Sequence, residues 1–302
     1  NVLKEINYAS EKYWGNVSST YKFGFKCATK LESLRNEIAL LLKADNEDVI
    51  FTSGSSESIS IVFNKVADNF FKGTIVISSV EHQATEISSN LLKKRGWKIK
   101  EWDVDEKGII NLKNIDSFID SETKLVSIIW GQSEIGSIQP IQFIGDKCKE
   151  NNIFFHVDGT QIIGNGTFNW KDLNCDLLSL SAHKFGGPKG IGLLLTNKKS
   201  RTFLNNNDIS YTHEYSIRQG TQSIPLVNGM CQALKNISGE ILLSNNGIQF
   251  KNNKILYLRD YLLNLFKNNK NIEITGCLTN RLPNHLSFIL LNASNCPSRL
   301  LI

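Results

Sequence analysis

Six short and almost wholly apolar runs constrain the fold of this 302-residue chain more than any other sequence feature. They are Val49–Thr52, Thr74–Ser78, Leu125–Trp130, Ile153–Val157, Leu177–Leu180 and Ile191–Leu195. Because polar and apolar residues do not alternate within them, the runs are typical of strands that are buried on both faces beneath helices. Segments between the runs carry apolar residues at helical spacing, such as Leu31, Leu34 and Ile38. The alternation predicts an α/β fold with a doubly wound, mainly parallel sheet flanked by helices.

The pattern changes after about residue 235. A helical pattern through Ile255, Leu258 and Phe266 is followed by two strand-like runs, Asn271–Thr275 and His285–Leu291. We therefore expect a large α/β domain over residues 1–240. A partial small α+β domain is expected over residues 241–302.

The composition excludes several classes of protein. Apolar residues make up 41% and charged residues 21%, which disfavours collagen-like, coiled-coil and wholly disordered chains. The net charge is +5, from 34 Lys and Arg against 29 Asp and Glu, and it is spread along the chain rather than clustered. We therefore expect no direct nucleic-acid binding. No apolar run approaches the roughly 18 residues needed to span a bilayer, so no membrane association is expected.

The six cysteines are far apart in the sequence, which disfavours zinc ribbons and C-x-x-C redox motifs. Such sparse cysteine usage fits a reducing compartment, in which thiols act as small core residues. The sequence thus predicts a cytoplasmic protein without a metal site.

Polar residues follow the predicted strands at their carboxyl ends, where ligands bind in open α/β sheets. After Val49–Thr52 comes Ser53-Gly54-Ser55-Ser56-Glu57, a small-residue turn that opens a helix. Exposed N–H groups, hydroxyls and the helix dipole suit a phosphate at such a turn. Taken alone, the turn is explained better by a plain capping role for the same serines.

Two further strand ends carry side chains that could contact a ligand. Asp158 follows Ile153–Val157, and a carboxylate there could hold a protonated cation or simply cap the next helix. His82 follows Thr74–Ser78, where it could lie against an aromatic ligand or be an inert histidine.

Lys184 is the most informative residue of the sequence. It follows the run Leu177–Leu180 and precedes the glycine-rich reversal Phe185-Gly186-Gly187-Pro188-Lys189-Gly190. Burial at the mouth of a strand is expected to lower the pKa of its amine and make it nucleophilic. An amine, a strand-end carboxylate and a phosphate cup together are what pyridoxal 5′-phosphate (PLP) requires: a Schiff-base lysine, a partner for the pyridine nitrogen and an anchor for the phosphate.

Several motifs then resemble one family, the class V enzymes of the PLP-dependent transferase fold (fold type I). Within it the chain is similar to the cysteine desulfurases, and most to their NifS-like branch. The matching stretches, in order, are Phe51–Ser58, Val80–His82, Glu134–Gly136, His156–Gln161, Ser181–Lys184 and Arg218–Thr221.

The resemblance implies a role for each matching residue. Lys184 would be the Schiff-base lysine, Asp158 would pair with the pyridine nitrogen, and His82 would stack on the ring. Gln161 would contact the ring hydroxyl, as would Ser133, which replaces the asparagine usual in the family. The phosphate would be held by Ser55, Ser56, Ser181 and His183, and by Thr221 from a neighbouring subunit, which implies a homodimer.

The family also has a mobile catalytic cysteine and a carboxylate-binding arginine. By this alignment both are expected beyond Ile302, and Cys296 lies upstream of the cysteine position and is not assigned that role.

The resemblance implies that L-cysteine is converted to L-alanine while its sulfur leaves as a persulfide for iron–sulfur clusters or tRNA thiolation. A sulfur-acceptor or scaffold protein would be the partner. The alternatives are another class V enzyme, such as an aminotransferase or a selenocysteine or other amino-acid lyase, and a catalytically inactive member that acts as a binding partner.

Overall fold

The computed structural model describes residues 1–205, 213–244, 247–251 and 254–291. Its helices are α1 (Val2–Lys12), α2 (Lys22–Leu42), α3 (Ser55–Asn69), α4 (Gln83–Lys94), α5 (Ile115–Phe118), α6 (Ile141–Glu150), α7 (Lys198–Leu204), α8 (Ile224–Lys235) and α9 (Lys254–Phe266). Its strands are β1 (Val49–Thr52), β2 (Thr74–Ser78), β3 (Lys98–Trp102), β4 (Thr123–Ile129), β5 (Phe154–Asp158), β6 (Leu177–Ser181), β7 (Gly192–Thr196), β8 (Glu240–Ser244), β9 (Gly247–Lys251), β10 (Ile272–Ile274) and β11 (Phe288–Leu290).

Seven strands form one sheet in the order β1-β7-β6-β5-β4-β2-β3. Strand β7 pairs antiparallel with both of its neighbours, and the remaining pairs in this sheet are parallel. All six apolar runs form strands of this sheet, within two residues of the expected bounds. The prediction of an α/β fold with a mainly parallel sheet flanked by helices is therefore confirmed.

The strands are buried on both faces, as their continuous apolar character predicts. Alternate residues of a strand enter two separate hydrophobic clusters, one on each side of the sheet: Val76 of β2 lies in one, while Ile75 and Ile77 lie in the other. Helix α3 packs its apolar side into the second cluster through residues such as Val62 and Val66. Helices therefore cover both faces and leave the ends of the strands as the accessible edge of the sheet.

Strand β3 lies outside the six apolar runs. Its sequence, Lys98-Ile99-Lys100-Glu101-Trp102, has three charged and two apolar residues, and it pairs with β2 at the edge of the sheet. An edge strand that is partly exposed needs no continuous apolar run, so the criterion that found the other six strands missed it.

The C-terminal part contains the hairpin β8–β9, helix α9 and the antiparallel pair β10–β11. The expected helix and both expected strand runs are present there. The division at residue 240 into two domains stays a prediction, and Cys296 lies outside the described residues. None of the helices in the described ranges combines the length and apolar character needed to cross a bilayer.

Candidate active site

The carboxyl ends of β1, β2, β4, β5 and β6 meet at one edge of the sheet, where β7 begins. Gly192, the first residue of β7, pairs with Thr52 of β1 on one side and Ser181 of β6 on the other. A Cβ atom on Gly192 would lie 2.6 Å from the Cα atom of Gly54. The missing side chain therefore allows the turn after β1 to lie directly against the end of β6.

A pocket of about 290 Å³ lies at this junction, and we call it the phosphate cup. Its lining residues are Ser53, Gly54, Ser55, Ser56, Glu57, Ser181, His183, Lys189 and Gly190. The N–H of Ser55 donates to Ser181 Oγ over 2.8 Å, and Ser181 Oγ donates to Ser55 Oγ over 3.1 Å. Helix α3 begins at Ser55, so its first N–H groups and the positive end of its dipole face the cup.

The structure thus brings together the four predicted phosphate ligands of this chain, Ser55, Ser56, Ser181 and His183. The pKa of His183 is lowered by partial desolvation and by the neighbouring cations Lys184 and Lys189. His183 therefore acts as a neutral hydrogen-bonding group near pH 7, while Lys189 supplies positive charge. Sequence reasoning did not assign Lys189 to the phosphate, although its place in the glycine-rich reversal was a usable signal.

Asp158 ends β5 and is only 3% exposed. Burial raises the pKa of its carboxyl, whereas the hydrogen bond to Oδ1 from the Thr160 N–H (3.0 Å) and the nearby charges of His82 and Lys184 lower it. The net pKa lies above the usual value, so a nearby cation would favour the charged form. A protonated pyridine nitrogen is such a cation.

A buried hydrogen-bonded chain supports the strand that carries Asp158. His156 of β5 bonds through Nδ1 to Ser127 Oγ of β4 and through Nε2 to Ser179 Oγ of β6, both over 2.8 Å. Burial lowers the pKa of His156 to about 3, so the ring stays neutral and links three adjacent strands.

Lys184 lies on a short 3-10 turn, Ala182–Phe185, directly after β6. Its side chain is exposed, so the burial that the sequence led us to expect is not found. The reason is that the turn packs into the core through Ala182 and Phe185, which leaves His183 and Lys184 on its exposed side. His82 is also exposed; it precedes α4 and its Nδ1 accepts a hydrogen bond from the Ala84 N–H over 3.1 Å.

The predicted ring-hydroxyl contacts lie after neighbouring strands. Ser133 is half-buried after β4, and its carbonyl oxygen accepts a hydrogen bond from His285 Nε2 over 2.9 Å. Gln161 is half-buried after β5. Thr221 is exposed and does not line the phosphate cup of its own chain.

The segment that carries Thr221 is nevertheless tied to the cup. Arg218 Nε donates to Glu57 Oε1 over 3.2 Å, and the Ser53 N–H donates to Glu57 Oε2 over 2.5 Å. Burial opposes the charge of Glu57, but the bonds from Ser53 and Arg218 outweigh it and lower its pKa. Glu57 and Arg218 belong to two of the matching sequence motifs, but the motifs do not indicate that the two residues form an ion pair.

Glu81 is a further residue that sequence reasoning quoted in a motif without assigning it a role. Its carboxyl is buried, accepts hydrogen bonds from Ser78 and Ile129, and has its pKa raised to about 8, chiefly by burial. A carboxylate placed directly after a buried strand was the available signal.

The described residues hold five free cysteines, all of them buried: Cys27, Cys148, Cys175, Cys231 and Cys277. None of these five lines the phosphate cup. Within the same described part, no group of three or more histidine, cysteine or carboxylate side chains is arranged to hold a metal ion.

Comparison with known proteins assigns the family. The model of the aminotransferase class-V family matches residues 1–296. The chain belongs to this family. Cysteine desulfurase IscS of Buchnera aphidicola subsp. Baizongia pistaciae is 37% identical over 291 residues, which cover 95% of this chain and 70% of that protein. The IscS of Neisseria meningitidis serogroup A is 33% identical over 287 residues, covering 94% of this chain and 69% of the relative.

Solved structures agree with this assignment. A NifS-like protein superposes with a TM-score of 0.82 at 29% identity, covering 95% of this chain and 77% of that one. SspA in complex with cysteine also gives a TM-score of 0.82, at 25% identity, covering 96% of this chain and 80% of the other. The fold is therefore the fold-type I architecture of the PLP-dependent enzymes, as the sequence resemblance implied.

The site fits the cofactor that this family uses. The cup offers hydroxyl and N–H donors with a lysine to a phosphate, and buried Asp158 gains from a cationic partner. Lys184 presents an accessible amine at the same edge.

Proposed function

We propose that this chain is a PLP-dependent cysteine desulfurase that converts L-cysteine to L-alanine and passes the sulfur on for iron–sulfur clusters or tRNA thiolation. One observation carries the proposal: an accessible lysine, a buried carboxyl and a phosphate cup lie after three strands at the same sheet edge. The IscS relatives and the SspA structure with cysteine support the choice of substrate.

Each residue then has a distinct task. Ser55, Ser56, Ser181 and His183 bind the phosphate, and Asp158 holds the proton on the pyridine nitrogen. His82 lies against the ring, while Ser133 and Gln161 are placed to contact the ring hydroxyl. When bound, PLP supplies an electron sink for the bond that is broken at the substrate Cα.

Lys184 is the residue that moves protons. Its exposed side chain can bind the cofactor aldehyde and, when released, take the proton from the cysteine Cα. The neighbouring charge of Asp158 favours the cofactor form that accepts the resulting electron pair. The amine of Lys184 therefore acts at the substrate Cα, where the electron pair is released, and the carboxylate of Asp158 acts at the pyridine nitrogen, which favours its acceptance.

The test uses the purified full-length protein, PLP, L-cysteine and a reductant. We expect a borohydride-trapped PLP adduct on Lys184 by peptide mass spectrometry, together with sulfide and alanine in equal amounts. Absence of the adduct would contradict the assignment of PLP as the cofactor. Formation of a keto acid with an added amino acceptor would show that the reaction is a transamination and not a desulfuration. Bound PLP without turnover would favour a non-catalytic binding partner.

We also propose a homodimer in which Thr221 reaches the cofactor phosphate of the neighbouring subunit. Thr221 is exposed, and Trp14, Tyr21 and Phe25 expose 73%, 53% and 72% of their surface near the start of the chain. Large exposed aromatic side chains favour burial against a second copy. Light scattering at micromolar concentration should give twice the chain mass, and a monomer would contradict the proposal.

The reduced, unpaired state of the five described cysteines supports a cytoplasmic protein. A sulfur-acceptor or scaffold protein is the proposed partner, and it should accept labelled sulfur from L-[35S]cysteine only in the presence of this enzyme.

A further inference from the structure

Glu81 links two neighbouring strands at the edge that carries the site. It lies three residues beyond the end of β2 and directly before His82. Its Oε1 atom accepts hydrogen bonds from Ser78 Oγ over 2.5 Å and from the Ile129 N–H over 2.8 Å. One oxygen therefore joins the carboxyl ends of β2 and β4 beside the residue proposed to cover the cofactor ring.

The second oxygen is in a different situation. Oε2 of Glu81 is buried and has no hydrogen-bond partner within the described ranges, and the residue as a whole is 9% exposed. An ionised carboxylate would leave charge on an oxygen that no donor compensates, which is strongly unfavourable in a buried place. A protonated carboxyl avoids this cost while Oε1 keeps its three donors, the hydroxyl and the N–H of Ser78 and the N–H of Ile129.

The surrounding charges favour the same state. The charged group that acts on Glu81 is Asp158 of β5, a like charge that adds to the effect of burial. His82, on the same segment as Glu81, and Lys184, after β6, act on Asp158 and favour its ionised form. Burial raises both pKa values, but the neighbouring charges favour the neutral form of Glu81 and the charged form of Asp158.

We infer that Glu81 is a positioning residue that works as a neutral carboxylic acid, holding His82 in place and leaving Asp158 as the ionised carboxylate of the site. The role towards the cofactor rests on the proposed function. The link between strands and the protonation state do not, and they can be measured on the protein without PLP.

The first experiment measures thermal unfolding of the PLP-free protein against pH, for the parent and for Glu81→Gln. Glutamine keeps the acceptor oxygen but cannot ionise. A carboxyl whose folded pKa is raised from 4.5 to about 8 stabilises fully below pH 4.5, and this contribution is lost as the pH rises towards 8. We expect Glu81→Gln to gain about 2–5 °C in Tm relative to the parent between pH 5 and 8.5.

Glu57→Gln is the matched control, because Glu57 lies in the same site and its pKa is lowered. Its Tm difference from the parent should stay constant between pH 5 and 8.5. If Glu81→Gln behaves in the same way, or loses stability relative to the parent as the pH rises, Glu81 is ionised and the inference is overturned.

The second experiment measures equilibrium binding of PLP at pH 7 to the parent, Glu81→Gln and Glu81→Ala. The PLP affinity of Glu81→Gln should lie within about threefold of that of the parent. Glu81→Ala should bind PLP about tenfold more weakly, because it leaves the Ile129 N–H without its acceptor. Equal binding by alanine and the parent would overturn the positioning role. If the parent itself fails to bind PLP, the proposed function and the positioning role both fail, while the pH series still decides the protonation state.

Discussion

The phosphate cup and the pair of buried carboxyls, Glu81 and Asp158, lie at the same sheet edge but are built in different ways. In the cup, Ser55 and Ser181 bond to each other, and neutral donors and a lysine line the space. In the carboxyl pair, burial raises both pKa values, and one oxygen of Glu81 has no donor among the residues that the structure describes. The chain itself supplies the residues that line the cup, whereas the charged form of Asp158 would be favoured by a cation that the cofactor brings.

Replacing Lys184 by alanine should have the largest effect on this contrast. Loss of the amine should reduce cysteine turnover by at least about 10²–10⁴-fold, because the group that moves the Cα proton is gone. The cup should still bind PLP noncovalently. Turnover assays and a titration followed by absorbance check the two results; full turnover by the variant would contradict the first, and failure of the variant to bind PLP would contradict the second.

Asp158→Asn should separate the two regions most clearly. The variant should lose most of its turnover, since asparagine cannot hold a proton on the pyridine nitrogen. Without PLP the parent should lose stability relative to the variant as the pH rises above the usual carboxyl pKa, because the pKa of Asp158 is raised in the folded protein. Calorimetry of the PLP-free proteins across pH 4 to 8 measures the difference; a difference that does not change with pH would argue against the prediction.

Gly192→Ala tests how the cup is assembled. The new methyl group would lie 2.4 Å from the Leu180 carbonyl oxygen and 2.6 Å from the Gly54 Cα, so the end of β6 and the turn after β1 must move apart, at a cost of about 1–3 kcal/mol. Denaturant unfolding measures the loss, and PLP affinity should fall with it. Gly186→Ala is the control. A methyl group there meets nothing within 4 Å, so the only strain that it introduces comes from the positive φ of 82° and not from a clash. Normal PLP affinity in Gly192→Ala would contradict the proposed geometry.

Arg218→Ala should have the smallest effect. The pair of Arg218 with Glu57 is partly exposed, and such pairs contribute about 0–1 kcal/mol. We expect PLP binding to weaken a fewfold, with part of the difference removed at high salt. A loss of a hundredfold would show that Arg218 contacts the cofactor directly.

Some features of the fold and of the site could be predicted from the sequence, and others could not. The six apolar strands, the residues at their ends and the family followed from apolar runs and motifs, because parallel strands place their carboxyl ends at one edge. The edge strand β3 was missed because three of its five residues are charged. The expected burial of Lys184 was wrong because Lys184 lies on the exposed side of a turn that packs into the core through Ala182 and Phe185.

The sequence by itself determined the strands, the lysine, the carboxylate and the serines of the site, since each is encoded locally at the end of a strand. Only the tertiary structure decided the charge environment of Glu81, the Arg218–Glu57 pair and the place of Lys189 in the cup. These depend on which strands become neighbours. Because β4 lies between β2 and β5, Glu81 accepts a hydrogen bond from Ile129 and is affected by the charge of Asp158, although both residues are far from it in the chain. Burial and electrostatic coupling arise from such long-range neighbours, which local periodicity does not encode.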